Sequence, residues 1–196
     1  MPRQTRAESR ARTRELLLTT ARELFLRDGY HATSLEKVAD AAGFSKGAVY
    51  SNFPTKDHLC EEVITQVRNE QIHAIHTAFT SEGTIDQRLE AFDAWADATL
   101  GDPGWTLLEA EFAIHAVRKA PEVRARVAQG GREAAAALEF LIGEELKARP
   151  RELPLPAAEL AEAVLDLGIG LGIRRAVDPD LSPRPLGDLV RLLLRA

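Results

Sequence analysis

The stretch of sequence that decides the fold is residues 33–59, TSLEKVADAAGFSKGAVYSNFPTKDHL. Apolar residues recur at helical spacing over 34–42, Gly43 interrupts them, and a second short helix is predicted over 45–52 before Pro54 ends it. Two short helices joined by a glycine-containing turn have the form of the helix–turn–helix, whose second helix lies in the major groove of DNA. The side chains of this stretch therefore divide into those that pack and those that face outward.

The inward-facing residues follow from the spacing. Leu35 and Val38 share one face of the first helix, and Ala39 is small where the two helices must approach closely. Thr33 and Glu36 match a capping box, which predicts Thr33 as the N-cap. The predicted core of this unit comprises Leu35, Val38, Ala39, Ala42, Val49 and Phe53, packed against Leu24 and Phe25 of a preceding helix.

The outward-facing residues have side chains suited to DNA. Ser45 and Lys46 lie at a helix N-terminus, which favours a phosphate, and Gly47 permits close approach of the backbone. Tyr50 carries a hydroxyl on a flat apolar ring, and Asn52 can bond a phosphate or a base edge.

Two residues outside the second helix extend this predicted surface, because Lys56 and Thr33 can each hold the DNA backbone at the start of a helix. Each residue also has a purely structural interpretation. Tyr50 can be half-buried core, Ser45 can act as an N-cap alone, and Lys46 can be an ordinary surface lysine. Their combination at this spacing favours DNA binding.

The charge distribution fits a polyanion at the front of the chain and equally fits a solvated, charged N-terminal arm. The net charge of −5 conceals an asymmetry: residues 1–60 contain 10 Lys and Arg against 7 Asp and Glu, a net +3. The remaining residues contain 15 against 23, a net −8. The first-helix arginines Arg10, Arg12 and Arg14 are expected to add salt-dependent affinity for a polyanion.

No strand is predicted in the chain, and the apolar periodicity is helical almost throughout. Glycine and proline clusters separate the helices. The predicted helices cover about 8–28, 34–42, 45–52, 56–79, 85–100, 105–119, 121–148, 156–177 and 185–195. Gly29 is expected to stop the first, and Pro121, Pro156 and Pro185 stand at expected N1 positions.

From Thr19 to Leu59 the chain resembles the N-terminal domain of the TetR family of bacterial transcriptional regulators. The residues that carry the resemblance are Ala21, Leu24–Phe25, Gly29–Tyr30, Thr33–Ser34, Val38–Ala39, Ala42–Gly43, the run SKGAVYSNF, and Lys56–Asp57–Leu59. It implies an all-α fold: a three-helix helix–turn–helix domain over 1–55 and a helical ligand-binding and dimerisation domain over 56–196.

The same resemblance implies a function and a set of contact residues. A dimer would bind a palindromic double-stranded DNA operator, as a repressor, and a small-molecule effector in the C-terminal domain would alter the spacing of the DNA-binding domains and release DNA. The residues expected at DNA are Thr33, Ser45, Lys46, Gly47, Tyr50, Asn52 and Lys56. Ser51 and Asn52 stand where members often carry an aromatic residue and a histidine.

Aromatic residues next to polar ones indicate an effector pocket in the C-terminal domain, although plain packing explains them equally. The candidate pocket residues are Trp95, Trp105, Glu109, Phe112 and His115. The last two helices indicate a homodimer interface, with Gly168 and Gly172 allowing close helix approach and intramolecular packing as the alternative. The candidate interface residues are Leu160, Val164, Leu167, Gly168, Leu171, Gly172, Leu189 and Leu193.

Other classes of site have weaker support. His73 and His76 lack a third ligand at matching spacing, so no metal or cofactor is predicted, and the lone Cys60 is expected to be buried and inert. The absence of a signal peptide or long apolar run predicts a cytoplasmic protein without membrane contact. The rival functions are a small helical enzyme using Glu109, Glu111 and His115, and a helical adaptor that binds protein.

Overall fold

Nine α-helices make up the part of the chain that the computed structural model describes, residues 5–148 and 153–195. This confirms the all-α prediction. The helices are α1 Arg6–Ala32, α2 Leu35–Ala42, α3 Lys46–Asn52, α4 Lys56–Thr80, α5 Ile85–Thr99, α6 Pro103–Lys119, α7 Pro121–Ala148, α8 Ala157–Val177 and α9 Arg184–Arg195. None of the helices described is long and apolar enough to cross a membrane.

Polar caps account for where most helices begin. The side chains of Ser45, Thr55 and Thr84 each accept a hydrogen bond from a backbone N–H in the first turn of the helix that follows. Pro121 is the first residue of α7 as predicted, whereas Pro156 precedes α8 as its N-cap. Local sequence therefore sets these boundaries.

The junction between α1 and α2 differs from the prediction. Gly29 interrupts the regular backbone of α1 with φ 81° and ψ 174°, but helical turns continue to Ala32. Thr33 is the C-cap of α1, and Ser34 is the N-cap of α2, accepting a bond from the backbone N–H of Lys37. The N-cap prediction for Thr33 is wrong because its side chain is buried and donates to the carbonyl of Gly29 at 2.9 Å.

Two hydrophobic cores organise the helices. The first joins α1, α2 and α3 to the start of α4, to α6 and to the start of α7, and it contains every predicted core residue of the helix–turn–helix unit. The second joins α4 and α5 to α7, α8 and α9. Because Leu59 and Val63 of α4 and Phe112 of α6 belong to the first core, packing continues across the predicted domain boundary at residue 55.

Candidate nucleic-acid interface

A tight turn and buried side chains fix the orientation of α3 relative to α2. Gly43 adopts a left-handed conformation (φ 71°, ψ 28°) that turns the chain, and the backbone N–H of Phe44 donates to the carbonyl of Ala39 at 2.9 Å. Val38 of α2 and Val49 of α3 are fully buried where these two helices pack together with α1. This packing fixes the direction in which the other face of α3 points.

Four of the residues predicted at DNA lie on the exposed face of α3 and its cap. Ser45 is the N-cap and accepts from the backbone N–H of Ala48 at 3.2 Å. Lys46 is exposed, and a Cβ added at Gly47 would meet only Ser45 Oγ, at 3.9 Å, among the described atoms. Tyr50 is 49% exposed and does not belong to the buried core. These residues form a surface, here called the α3 face: Ser45, Lys46, Gly47 and Tyr50.

An intramolecular hydrogen bond positions Tyr50 on this surface. Its hydroxyl donates to Glu36 Oε1 at 2.9 Å, and this bond raises the pKa of Tyr50. Glu36 lies in the first turn of α2, so the contact links the two helices at their solvent-facing edge. A phosphate approaching the tyrosine hydroxyl must therefore displace Glu36.

The other three predicted DNA contacts are turned inward. Thr33 is buried, and Asn52 donates from Nδ2 to the carbonyl of Ala48 at 2.8 Å, while its Oδ1 is buried without a partner among the described residues. Lys56 donates from Nζ to the carbonyl of Tyr30 at 3.1 Å and lies 3.9 Å from the centre of the Tyr30 ring. Burial lowers the pKa of Lys56. These three side chains stabilise the unit in the conformation described.

The first-helix arginines have different positions. Arg14 forms an ion pair with Glu62 at 2.5 Å and stacks over the ring of Phe53, so it joins α1 to α4. Arg10 donates to the carbonyl of Ser51 at the end of α3 at 3.3 Å, and Arg12 is exposed. Arg10 thus adds positive charge beside the end of α3, whereas Arg12 faces solvent.

A polar joint that the sequence did not reveal connects this unit to the C-terminal helices. The backbone N–H of Tyr30 donates to Glu111 Oε2 of α6 at 2.8 Å. The Tyr30 hydroxyl donates to Asp57 of α4, and the same carboxylate lies 3.2 Å from His115 Nε2 of α6. Sequence periodicity does not show such contacts, because their partners are separated by up to 81 residues.

The candidate pocket residues do not meet in one cavity. Trp95 donates to Gln71 Oε1 at 2.9 Å and packs beside the second core, whereas Trp105 packs against the first. His115 belongs to the polar joint. Glu109 and Phe112 do share a cavity of about 430 Å³ between α4, α6 and α7, where Arg68 Nη2 donates to Glu109 at 2.6 Å.

This separation also bears on the enzyme alternative. Glu109 is paired with Arg68, Glu111 accepts the Tyr30 backbone N–H, and His115 faces Asp57. Each of the three proposed acid–base groups therefore has its own structural partner. No group of three or more His, Cys, Asp or Glu side chains suited to a metal ion is present in residues 5–148 and 153–195.

The stripe predicted as a dimer interface packs within the chain. Leu160, Leu171 and Gly172 of α8 and Leu193 of α9 are buried, and Val164 and Leu167 pack against the second core. Gly168 faces Leu186 of α9, and Leu189 is half-buried.

The opposite face of α8 carries exposed apolar residues at i, i+4 and i+8: Ile169, Ile173 and Val177. The intramolecular second core therefore occupies the face that was predicted for the partner, and a dimer interface on α8 stays a prediction.

Comparison with known proteins agrees with this architecture. The family model described as bacterial regulatory proteins, tetR family, matches residues 17–63. The chain is 33% identical over 85 residues to the uncharacterised regulator YxaF of Bacillus subtilis strain 168, covering 43% of this chain and 44% of YxaF. It is 36% identical over 66 residues to the repressor BepR of Brucella suis, covering 34% and 31%. The matched segment spans less than half the length of these relatives.

The fold likeness extends over nearly the whole chain. A solved putative transcriptional regulator from Rhodococcus sp. RHA1 superposes with a TM-score of 0.76 at 22% identity, covering 93% of this chain and 95% of that one. The fold and the α3 face thus define an all-α protein of the helix–turn–helix class. Within that class, the segment of residues 17–63 is similar to the TetR family of bacterial regulatory proteins.

Proposed function

We propose that this protein is a dimeric transcriptional repressor that binds a palindromic DNA operator and releases it when a small molecule binds in the C-terminal domain. The observation that carries the proposal is the α3 face, an exposed set of residues suited to DNA within the matched family segment, on a helix whose opposite side is anchored by the fully buried Val49. We propose repression because the similar protein BepR is a transcriptional repressor.

Dimerisation supports the affinity that this function needs. A single helix–turn–helix unit has few phosphate contacts, and non-specific binding has a Kd of about 10⁻⁴–10⁻⁶ M. Two units on half-sites about one helical turn or a multiple apart reach about 10⁻⁸–10⁻¹¹ M. The exposed apolar stripe Ile169, Ile173 and Val177 of α8 suits a two-fold interface.

Effector coupling is supported by the continuity between the two proposed domains, 1–55 and 56–196. The first core and the polar joint both connect α1 to α4 and α6, so a ligand that displaces α6 also displaces the α3 face. A palindrome bound by two such units is sensitive to their separation.

The experiment that tests the proposal is a mobility-shift titration of the full chain with the DNA upstream of its own gene, over a series of salt concentrations. Tighter binding to this DNA than to scrambled DNA supports the regulator. A promoter–reporter assay then shows whether the chain represses or activates transcription. Binding no tighter than that of an acidic control protein overturns the proposal and favours the protein-binding adaptor.

A further inference from the structure

A second cavity, distinct from the one beside Glu109, lies inside the C-terminal helices. It has a volume of about 60 Å³ and is bounded by residues of α4, α5, α7, α8 and α9 that include Ile75, Phe92, Leu141 and Val164. That volume exceeds the roughly 10–15 Å³ that one water molecule requires. Its walls are almost wholly apolar, so a water molecule there would find few hydrogen-bond partners.

One charged side chain interrupts this apolar wall. Glu145 of α7 lines the cavity and is only 7% exposed. Its Oε1 accepts a hydrogen bond from Arg88 Nη1 at 2.9 Å, but its Oε2 is buried and has no hydrogen-bond partner in the described part of the chain. An unsatisfied buried acceptor is costly, especially on a charged group, so the site favours an incoming donor.

The charge balance around Glu145 narrows the kind of donor. Arg88 already offsets the carboxylate and is fixed by a second bond, from Nε to the carbonyl of Ser81 at 3.1 Å. A cationic or anionic ligand would therefore add an uncompensated charge to an apolar cavity, which is strongly unfavourable. A neutral hydroxyl supplies the missing donor without adding charge.

We propose that this cavity binds a small apolar molecule carrying one neutral hydroxyl group, which donates its hydrogen bond to Glu145 Oε2. That this molecule is also the effector rests on the function proposed above, whereas its binding in the cavity does not. The apolar part of the ligand lies against Phe92 and Val164, and the hydroxyl reaches α7.

The test compares four six-carbon probes on the full chain in the absence of DNA: 1-hexanol, 2-hexanone, hexanoate and hexylammonium. The Phe92 ring lines the cavity and its centre lies 5.3 Å from that of the Trp95 ring, so emission from Trp95 in a Trp105→Phe background reports occupancy. We expect 1-hexanol to bind about tenfold or more tightly than each of the others, because 2-hexanone and hexanoate lack the donor and both hexanoate and hexylammonium add a charge. Equal or tighter binding of 2-hexanone, hexanoate or hexylammonium, or no saturable response to 1-hexanol, overturns the proposal.

A variant then tests the role of the carboxylate. Glu145→Gln replaces a charged acceptor with an amide of the same shape, so the ratio of 1-hexanol to 2-hexanone affinity is expected to fall towards one. Glu139→Gln, at an exposed position of the same helix, should leave the ratio unchanged. An unchanged ratio in Glu145→Gln contradicts the proposal, and if that variant does not fold, the wild-type comparison of the four probes decides.

The two proposals fail separately. If 1-hexanol binds selectively but the chain does not bind DNA, the regulator function is wrong and the cavity assignment holds. If the chain binds its operator but shows no hydroxyl selectivity, the regulator stands and the cavity assignment is wrong.

Discussion

Lys46 is the only basic residue in the sequence of α3, and it lies exposed on the α3 face. Its replacement by alanine should weaken binding to operator and to unrelated DNA alike, because a lysine–phosphate contact carries little sequence information. The slope of log K against log salt should become shallower by about 0.9 per half-site contact, or about 1.8 for a dimer. Mobility shifts over a salt series measure both effects.

A lysine far from DNA provides the control for that substitution. Lys147 is exposed near the end of α7, where it forms an ion pair with Glu144. Lys147→Ala removes the same charge and should leave the salt slope unchanged. If Lys46→Ala and Lys147→Ala behave alike, Lys46 does not contact phosphate.

Cys60 gives a prediction about alkaline stability. Its thiol is fully buried, and burial raises its pKa well above the usual 9.0, so the folded protein keeps it protonated. The unfolded chain ionises the thiol above pH 9.0, so its stabilising contribution is complete below that pH and is lost as pH rises towards the folded pKa. The free energy of unfolding should therefore decline more steeply above pH 9 in wild type than in Cys60→Ala, by at most about 1.4 kcal/mol per pH unit.

Urea unfolding at pH 7, 8, 9 and 10 measures this difference. The comparison uses slopes, so the constant loss from removing a buried side chain does not affect it. Tyr30, whose pKa is also raised by burial and by its bond to Asp57, contributes a similar decline above its usual 10.0 in both proteins. Parallel slopes for wild type and Cys60→Ala would show that the thiol ionises as easily in the folded state.

At the residue scale, the sequence predicted burial better than contact. Val38 and Val49 were placed in the core from spacing alone, because apolar periodicity reports which face of a helix leaves water. Lys56 and Asn52 were expected at DNA from residue type, yet both bond to backbone carbonyls. Residue type shows what a side chain can bind, but its direction depends on neighbours that the fold supplies.

The joint between α1 and α6 depends on Gly29. Its backbone angles, φ 81° and ψ 174°, are ones that residues other than glycine rarely adopt. A Cβ at this position would also lie 2.8 Å from Glu111 Oε2. Gly29→Ala should therefore destabilise the protein by about 1–3 kcal/mol, since it strains the backbone and pushes away the carboxylate that accepts the Tyr30 N–H. Thermal or urea unfolding measures the loss.

A second glycine serves as the matched control. Gly131 lies within α7, and a Cβ there would meet no described atom within 4 Å. Gly131→Ala should stabilise the protein by about 0.5–1 kcal/mol, because alanine is the better helix former. If Gly29→Ala stabilised the protein as Gly131→Ala is expected to, Gly29 would not be under the constraint described.

At the element scale, the positions of the helices were predicted accurately from the sequence, because glycine, proline and polar capping residues mark the helix ends locally. The partner of each helix face was not predicted. The leucine stripe of α8, including Leu160 and Leu171, was apolar as expected, but it is buried within the chain, where α7 and α9 pack against α8. An apolar stripe shows that a face is covered, and the covering element is known only once the other helices are placed.

For the whole molecule, the proposed dimer requires a face of α8 that the chain does not already cover. Ile169, Ile173 and Val177 remain exposed after the chain has buried its own cores, and Leu192 of α9 is exposed as well. In a two-fold interface each residue occurs twice and often close to its own copy, so one introduced charge acts as a pair of like charges. Ile173→Asp should therefore convert a micromolar solution from dimer to monomer, as sedimentation velocity measures.

The same substitution separates dimerisation from folding and from DNA contact. Ile114 of α6 is 52% exposed and lies outside α8 and α9, so Ile114→Asp introduces an equal charge at a comparable site and should leave the dimer intact. Monomeric Ile173→Asp should keep its helical circular dichroism but lose operator affinity by about 10³-fold or more, towards the level of non-specific binding. If it bound the operator as tightly as wild type, each half-site would be recognised independently and the palindrome would not require a dimer.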